Sequence, residues 1–81
     1  MKTICYTRTA LRALGKHRNM ADRITEKIEA YASDSAALSN MVKTLTTGDR
    51  RLRVGDFRVI FRETETAIDI LDIGPRGGIY D

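Results

Sequence analysis

The feature that most constrains this fold is a change of hydrophobic period near Gly48. Before it, Met20, Ile24, Ile28 and Tyr31 recur at helical spacing and mark one apolar face of a helix. After it the apolar residues alternate. Leu52 and Val54 alternate with Arg51 and Arg53, and Phe57, Val59 and Phe61 alternate with Arg58, Ile60 and Arg62. Successive side chains of a strand point to opposite faces, so this pattern predicts two strands with an apolar side and an arginine side. Gly55-Asp56 between them predicts a tight turn or bulge. The segment AIDILDI, residues 67–73, is a nearly continuous apolar run broken by Asp69 and Asp72, which suits a central strand ended by Gly74-Pro75.

The N-terminal half completes the outline. KTICY, residues 2–6, favours a short strand through Thr3, Ile4 and Tyr6. Thr7 or Thr9 is placed to cap a short helix running through Lys16, with Ala10, Leu11, Ala13 and Leu14 inward and Gly15 and His17 near its end. Asn19, with Asp22 three residues on, reads as the next N-cap, and the second helix is expected to end around Ala32. Residues 36–48 fit a short helical turn or a loop folding back on the core through Leu38, Met41, Val42 and Leu45. Thr46-Thr47-Gly48-Asp49 and residues 63–66 read as turns. The expected fold is therefore α+β: an N-terminal strand, a two-helix hairpin, then an antiparallel three-strand meander. Two helices on one face of the sheet leave the other face open.

An 81-residue chain of this kind is a single domain over residues 1–81. At this size folding buries somewhat more than ~60% of the unfolded surface, so the core is modest. A small secreted domain with so thin a core usually carries paired cysteines, and here there is only Cys5. No stretch approaches the ~20 apolar residues needed to span a bilayer, and residues 1–6 do not read as a signal peptide. The expectation is a cytoplasmic protein with no membrane role.

The net charge of +3 is a mild bias, and its distribution is more informative. Residues 50–62 hold five arginines, no lysine and a single acid, Asp56. Arginine suits bidentate phosphate contact and stacking on bases, so the open face is a candidate anion-binding surface. The plainer alternative is a solvated face, with Arg58 pairing with Asp69 or Asp72 across the sheet.

Two segments carry a family likeness. RLRVGDFRVIF, residues 51–61, resembles the central hairpin of RelE/ParE toxins, the toxic halves of type II toxin–antitoxin pairs. DIGPRGGIY, residues 72–80, is similar to the C-terminal segment of the RelE branch, where Gly-His-Arg and a downstream Tyr are usual. The likeness covers nearly the whole chain and implies a RelE-like, microbial ribonuclease-type fold. It implies that Arg58 holds the scissile phosphate, that Arg76 stabilises developing charge, and that Tyr80 orients or activates the attacking 2′-hydroxyl. Arg50, Arg51, Arg53 and Arg62 form the accompanying RNA-binding set, with Arg51 and Arg53 at strand positions that are often basic in that branch. The implied partners are a cognate antitoxin, in a hetero-oligomer, and mRNA on the ribosome. The ParE branch implies a different target, DNA gyrase. Pro75 stands where the RelE branch commonly has His, Gly77-Gly78 replaces an often charged stretch, and a C-terminal helix found in some relatives is not expected here.

The residues bear on other chemistries as well. One Cys and one His without ligand spacing offer no metal site, and no cofactor is expected. Residues 74–78 lack the GK[ST] and following helix of a phosphate loop. No nucleophile–base pair suggests a hydrolase. Arginine, with a pKa above ~12, is a poor general base. His17 alone titrates near neutrality, and its place at a helix end reads as a capping or surface role.

Overall fold

The structure is a computed structural model, and it describes residues 1–75. Arg76 and Tyr80 of the expected site, with Gly77-Gly78, lie outside the described residues.

The expected order is present: β1 (Thr3–Tyr6), α1 (Arg8–Lys16), α2 (Arg18–Ser33), β3 (Arg50–Val54), β4 (Phe57–Glu63) and β5 (Ala67–Pro75). The stretch that the pattern left open forms a 3-10 helix over Ser35–Met41 and then a short strand, β2 (Val42–Thr44). The meander is thus the centre of a five-stranded sheet in the order β1-β5-β4-β3-β2. Pairing is antiparallel from β2 to β5, whereas β1 runs parallel to β5. The sheet is therefore mixed. The parallel step follows because the helical hairpin carries the chain away after β1.

Helix α1 starts where Thr7 can act twice. Its hydroxyl oxygen accepts from the Ala10 N–H at 3.1 Å, and its O–H donates to the Leu71 carbonyl at 2.9 Å, which ties the helix start to β5. Asn19 does not cap α2. The helix begins at Arg18, and His17 joins the two helices through its backbone. The His17 N–H donates to the Ala13 carbonyl at 3.0 Å, and the His17 carbonyl accepts from the Met20 N–H at 2.9 Å. Its ring meets Phe57 edge-on, with centroids 4.8 Å apart. That contact fixes the helix corner against the start of β4, so Asn19 falls inside the first turn.

The core lies between the helices and one sheet face. Ala10, Ile24, Ile28 and Tyr31 pack against Leu52, Val54, Val59, Phe61, Ile68, Ile70 and Ile73. Strand β5 supplies inward residues at 68, 70 and 73, an interval that strict alternation forbids. A bulge reconciles them: Phe61 pairs with Ile70, and Ile60 with Asp72, so Leu71 is an extra residue on β5. The bulge explains why this segment reads as an unbroken apolar run. At the β3–β4 turn, Gly55 has φ +58°, the left-handed conformation that a two-residue hairpin takes most cheaply with glycine.

Candidate nucleic-acid interface

The face away from the helices is built by parity. Odd positions of β3 and even positions of β4 point outward, which places Arg51, Arg53, Arg58, Ile60 and Arg62 on one surface. The register sets their spacing. Arg53 and Arg58 are direct partners across the β3–β4 pair, Arg51 is opposite Ile60, and Ile60 is opposite Asp72 on β5. Beyond Arg58 the next residue across the sheet is Gly74. Ile60 also points to this face and is fully buried there.

Arg53 and Arg58 flank an open hollow of about 320 Å³, lined also by Gly55 and Asp56. Like charges directly opposed across a strand pair are unfavourable, by up to ~1 kcal/mol. The arrangement suits an anion, which relieves the repulsion and accepts hydrogen bonds from both forks. Gly74 adds no side chain beside Arg58 and is itself buried.

The other expected RNA-binding residues are placed differently. Arg62 is on the same face but at the far end of β4 from Arg58. Its side chain is 63% exposed, and its Nε donates to Asp49 Oδ1 at 3.0 Å. Its direct partner on β5 is Asp69. Arg50 does not belong to this surface. It is opposite Phe61, a core residue, and so points to the helix side. There its Nη1 donates to Glu63 Oε1 at 3.1 Å and to the Tyr31 hydroxyl oxygen at 3.3 Å.

Glu63 is the hub of a clasp that the sequence reading missed. Lys2 Nζ donates to Oε2 at 2.6 Å, and the Tyr31 hydroxyl donates to Oε1 at 2.7 Å. Burial works to raise the Glu63 carboxyl, but the hydrogen bonds from Lys2 and Tyr31 and the charges of Lys2 and Arg50 outweigh it and hold the pKa below the ordinary 4.5. Burial, followed by the bond to Glu63, pushes the Tyr31 phenol upward. The clasp links the N-terminus to α2, β3 and β4. A signal for it existed: Glu63 continues the inward series 57, 59, 61, and Tyr31 ends the inward stripe of α2 with a hydroxyl that needs a partner.

The outer face therefore brings together Arg51, Arg53 and Arg58, with Arg62 at a distance. Among the described residues no group of three or more His, Cys, Asp or Glu side chains is placed to hold a metal ion. Among them, too, no helix is long and apolar enough to cross a membrane.

Comparison with known proteins bears on this surface. A sequence model of the family described as the ParE toxin of the type II toxin–antitoxin system, parDE, matches residues 4–80. Two solved structures share the fold. One is a chain of the archaeal RelE–RelB complex from Pyrococcus horikoshii OT3, with a TM-score of 0.76 at 24% identity, over 96% of this chain and 98% of that one. The other is YafQ from E. coli strain BL21(DE3), with a TM-score of 0.77 at 13% identity, over 100% of both chains. No curated protein sequence matches the chain.

Proposed function

The chain belongs to the RelE/ParE superfamily of type II toxin–antitoxin toxins, and from that premise we propose that it is an mRNA endonuclease that acts on the ribosome and is neutralised by a cognate antitoxin. The observation that carries this reading is the opposition of Arg53 and Arg58 across the outer face, with Gly74 beyond Arg58. RNA cleavage by the neighbouring 2′-hydroxyl passes through a phosphorane with extra negative charge. Fixed cationic donors aimed at that charge are worth a few kcal/mol, roughly 10²–10³ in rate. Arg58 holds the scissile phosphate, and Arg53 and Arg51 bind the strand beside it, with Arg62 as a more distant contact. Arg76 and Tyr80 keep the roles that the resemblance implies, charge stabilisation and orientation of the 2′-hydroxyl. The ribosome supplies much of the RNA positioning, so weak acid–base groups suffice.

The antitoxin is a partner of opposite character, an acidic and apolar amphipathic segment, and the two chains form a hetero-oligomer in the cytoplasm. The fold match to a chain of the RelE–RelB complex supports such a partner. The test is inducible expression with mapping of RNA 5′ ends. Wild type is expected to arrest growth and leave new 5′ ends within translated mRNA, and Arg58→Ala and Arg76→Ala to lose both. Retention of full cleavage by both variants would refute the mechanism.

One observation favours a second reading, inhibition of DNA gyrase without cleavage. The single histidine sits on the helix side against Phe57, so the described outer face has arginines but no group that titrates near neutrality. A supercoiling assay with purified toxin and gyrase separates the two, because an RNA endonuclease leaves supercoiling undisturbed.

A further inference from the structure

Helix α1 carries a charge pattern that nothing in the fold requires. Its sequence RTALRALGK contains no acid, and Arg8, Arg12 and Lys16 recur every four residues along one line of the helix. Like charges at that spacing repel. Arg8 also stands in the first turn, where the helix dipole favours an acid. The stripe is therefore unfavourable within the folded chain itself.

A hollow lies along part of the same stripe. Thr9, Arg12, Lys16 and His17 line a hollow of about 240 Å³ against the end of β5, where Asp72 and Gly74 form part of the wall. A hydroxyl, a guanidinium, an ammonium and an imidazole make a donor set suited to a phosphodiester. Asp72 is the one acid in this wall, and its Oδ1 already accepts from the Ile73 N–H at 2.8 Å. Gly74 connects this hollow to the proposed active surface, because it is also the residue opposite Arg58.

We propose that the α1 stripe, with Thr9 and His17, is a second phosphate-binding subsite for the RNA strand held at Arg58, reached around the end of β5 past Gly74. This rests on the reading of the outer face as an RNA surface and extends it to the opposite side of the sheet. One strand lies across both hollows, with its scissile phosphate at Arg58 and a neighbouring stretch of backbone at Arg12 and Lys16. The charges on α1 are thereby neutralised when RNA is bound.

The test uses the full chain and fluorescently labelled single-stranded RNA, a dinucleotide and a strand of about ten nucleotides, over a range of salt. The double variant Arg12→Ala/Lys16→Ala removes two exposed side chains, and its thermal unfolding is expected to equal or exceed that of wild type, which separates lost binding from lost folding. It should weaken the longer RNA and lower the slope of log affinity against log salt by about 1.4, from two contacts at roughly 0.7 each. It should leave the dinucleotide unchanged, whereas Arg58→Ala should weaken both. If the double variant binds the longer RNA as wild type does while Arg58→Ala does not, this subsite is refuted and the outer-face reading stands. If neither variant changes RNA binding, both readings fall. If the double variant loses affinity for the antitoxin and not for RNA, the stripe is an antitoxin surface and the inference is wrong.

Discussion

Arg58 and Glu63 stand on the same strand and point opposite ways, and parity assigns them different work. Arg58 faces outward directly opposite Arg53, a like-charge placement that the proposed function assigns to a ligand. Arg53→Gln is accordingly expected to leave stability unchanged or raise it by up to ~1 kcal/mol, while reducing cleavage. Parallel urea unfolding and cleavage assays check this, and a clear loss of stability would show the pair to be structural. Glu63 faces inward and closes the clasp with Lys2, Tyr31 and Arg50. Its folded pKa lies below the ordinary value, so its stabilisation is full above the unfolded-state pKa and is lost as pH falls through the folded one. Glu63→Gln should thus lower stability near neutrality and flatten its decline below about pH 5, where the carboxyl begins to take up its proton. An unchanged decline would assign the acid sensitivity to other carboxylates. The same parity corrects Arg50. Grouped with its neighbours by composition, it looked like part of an arginine face. Its even number, shared with Leu52 and Val54, already placed it on the apolar side.

At the scale of elements, the pattern located both helices and all three meander strands, because their apolar periods are long and regular. It failed where one residue serves two elements. Asn19 had the chemistry of a cap, but His17 closes α1 and opens α2 through its backbone, and its ring is held by Phe57. No local pattern reports a contact 40 positions away along the chain. Thr7→Ala is therefore expected to cost about 1 kcal/mol or more from the lost cap, or ~4–8 °C in Tm for a domain of this size. Asn19→Ala should change Tm little. Equal losses in thermal unfolding would restore Asn19 as a cap. The bulge at Leu71 was hidden for a similar reason: an apolar run of seven residues does not say where its register shifts. Strand β2 is three residues long and too short to show a period.

For the whole molecule, the sheet order explains why the candidate surface is continuous. The last described strand, β5, is placed between β1 and β4, and its C-terminal end is beside Arg58. The α+β layering was legible in the sequence. The parallel pairing of β1 with β5, and the approach of α1 to the end of β5, were not, because they depend on how the helical hairpin returns. The arginine cluster was legible as chemistry, and its proposed assignment to RNA rests on the RelE-like resemblance of residues 72–80 together with the register of Arg53 and Arg58. The proposed cleavage needs Arg58 on the outer face and gives the helix-side arginine, Arg50, no part in it. The most direct test is the single-turnover rate of mRNA cleavage on programmed ribosomes with purified wild type, Arg58→Ala and Arg50→Ala. A fall of roughly 10²–10³ is expected for Arg58→Ala, with a wild-type rate for folded Arg50→Ala. Wild-type cleavage by Arg58→Ala would contradict the proposed mechanism.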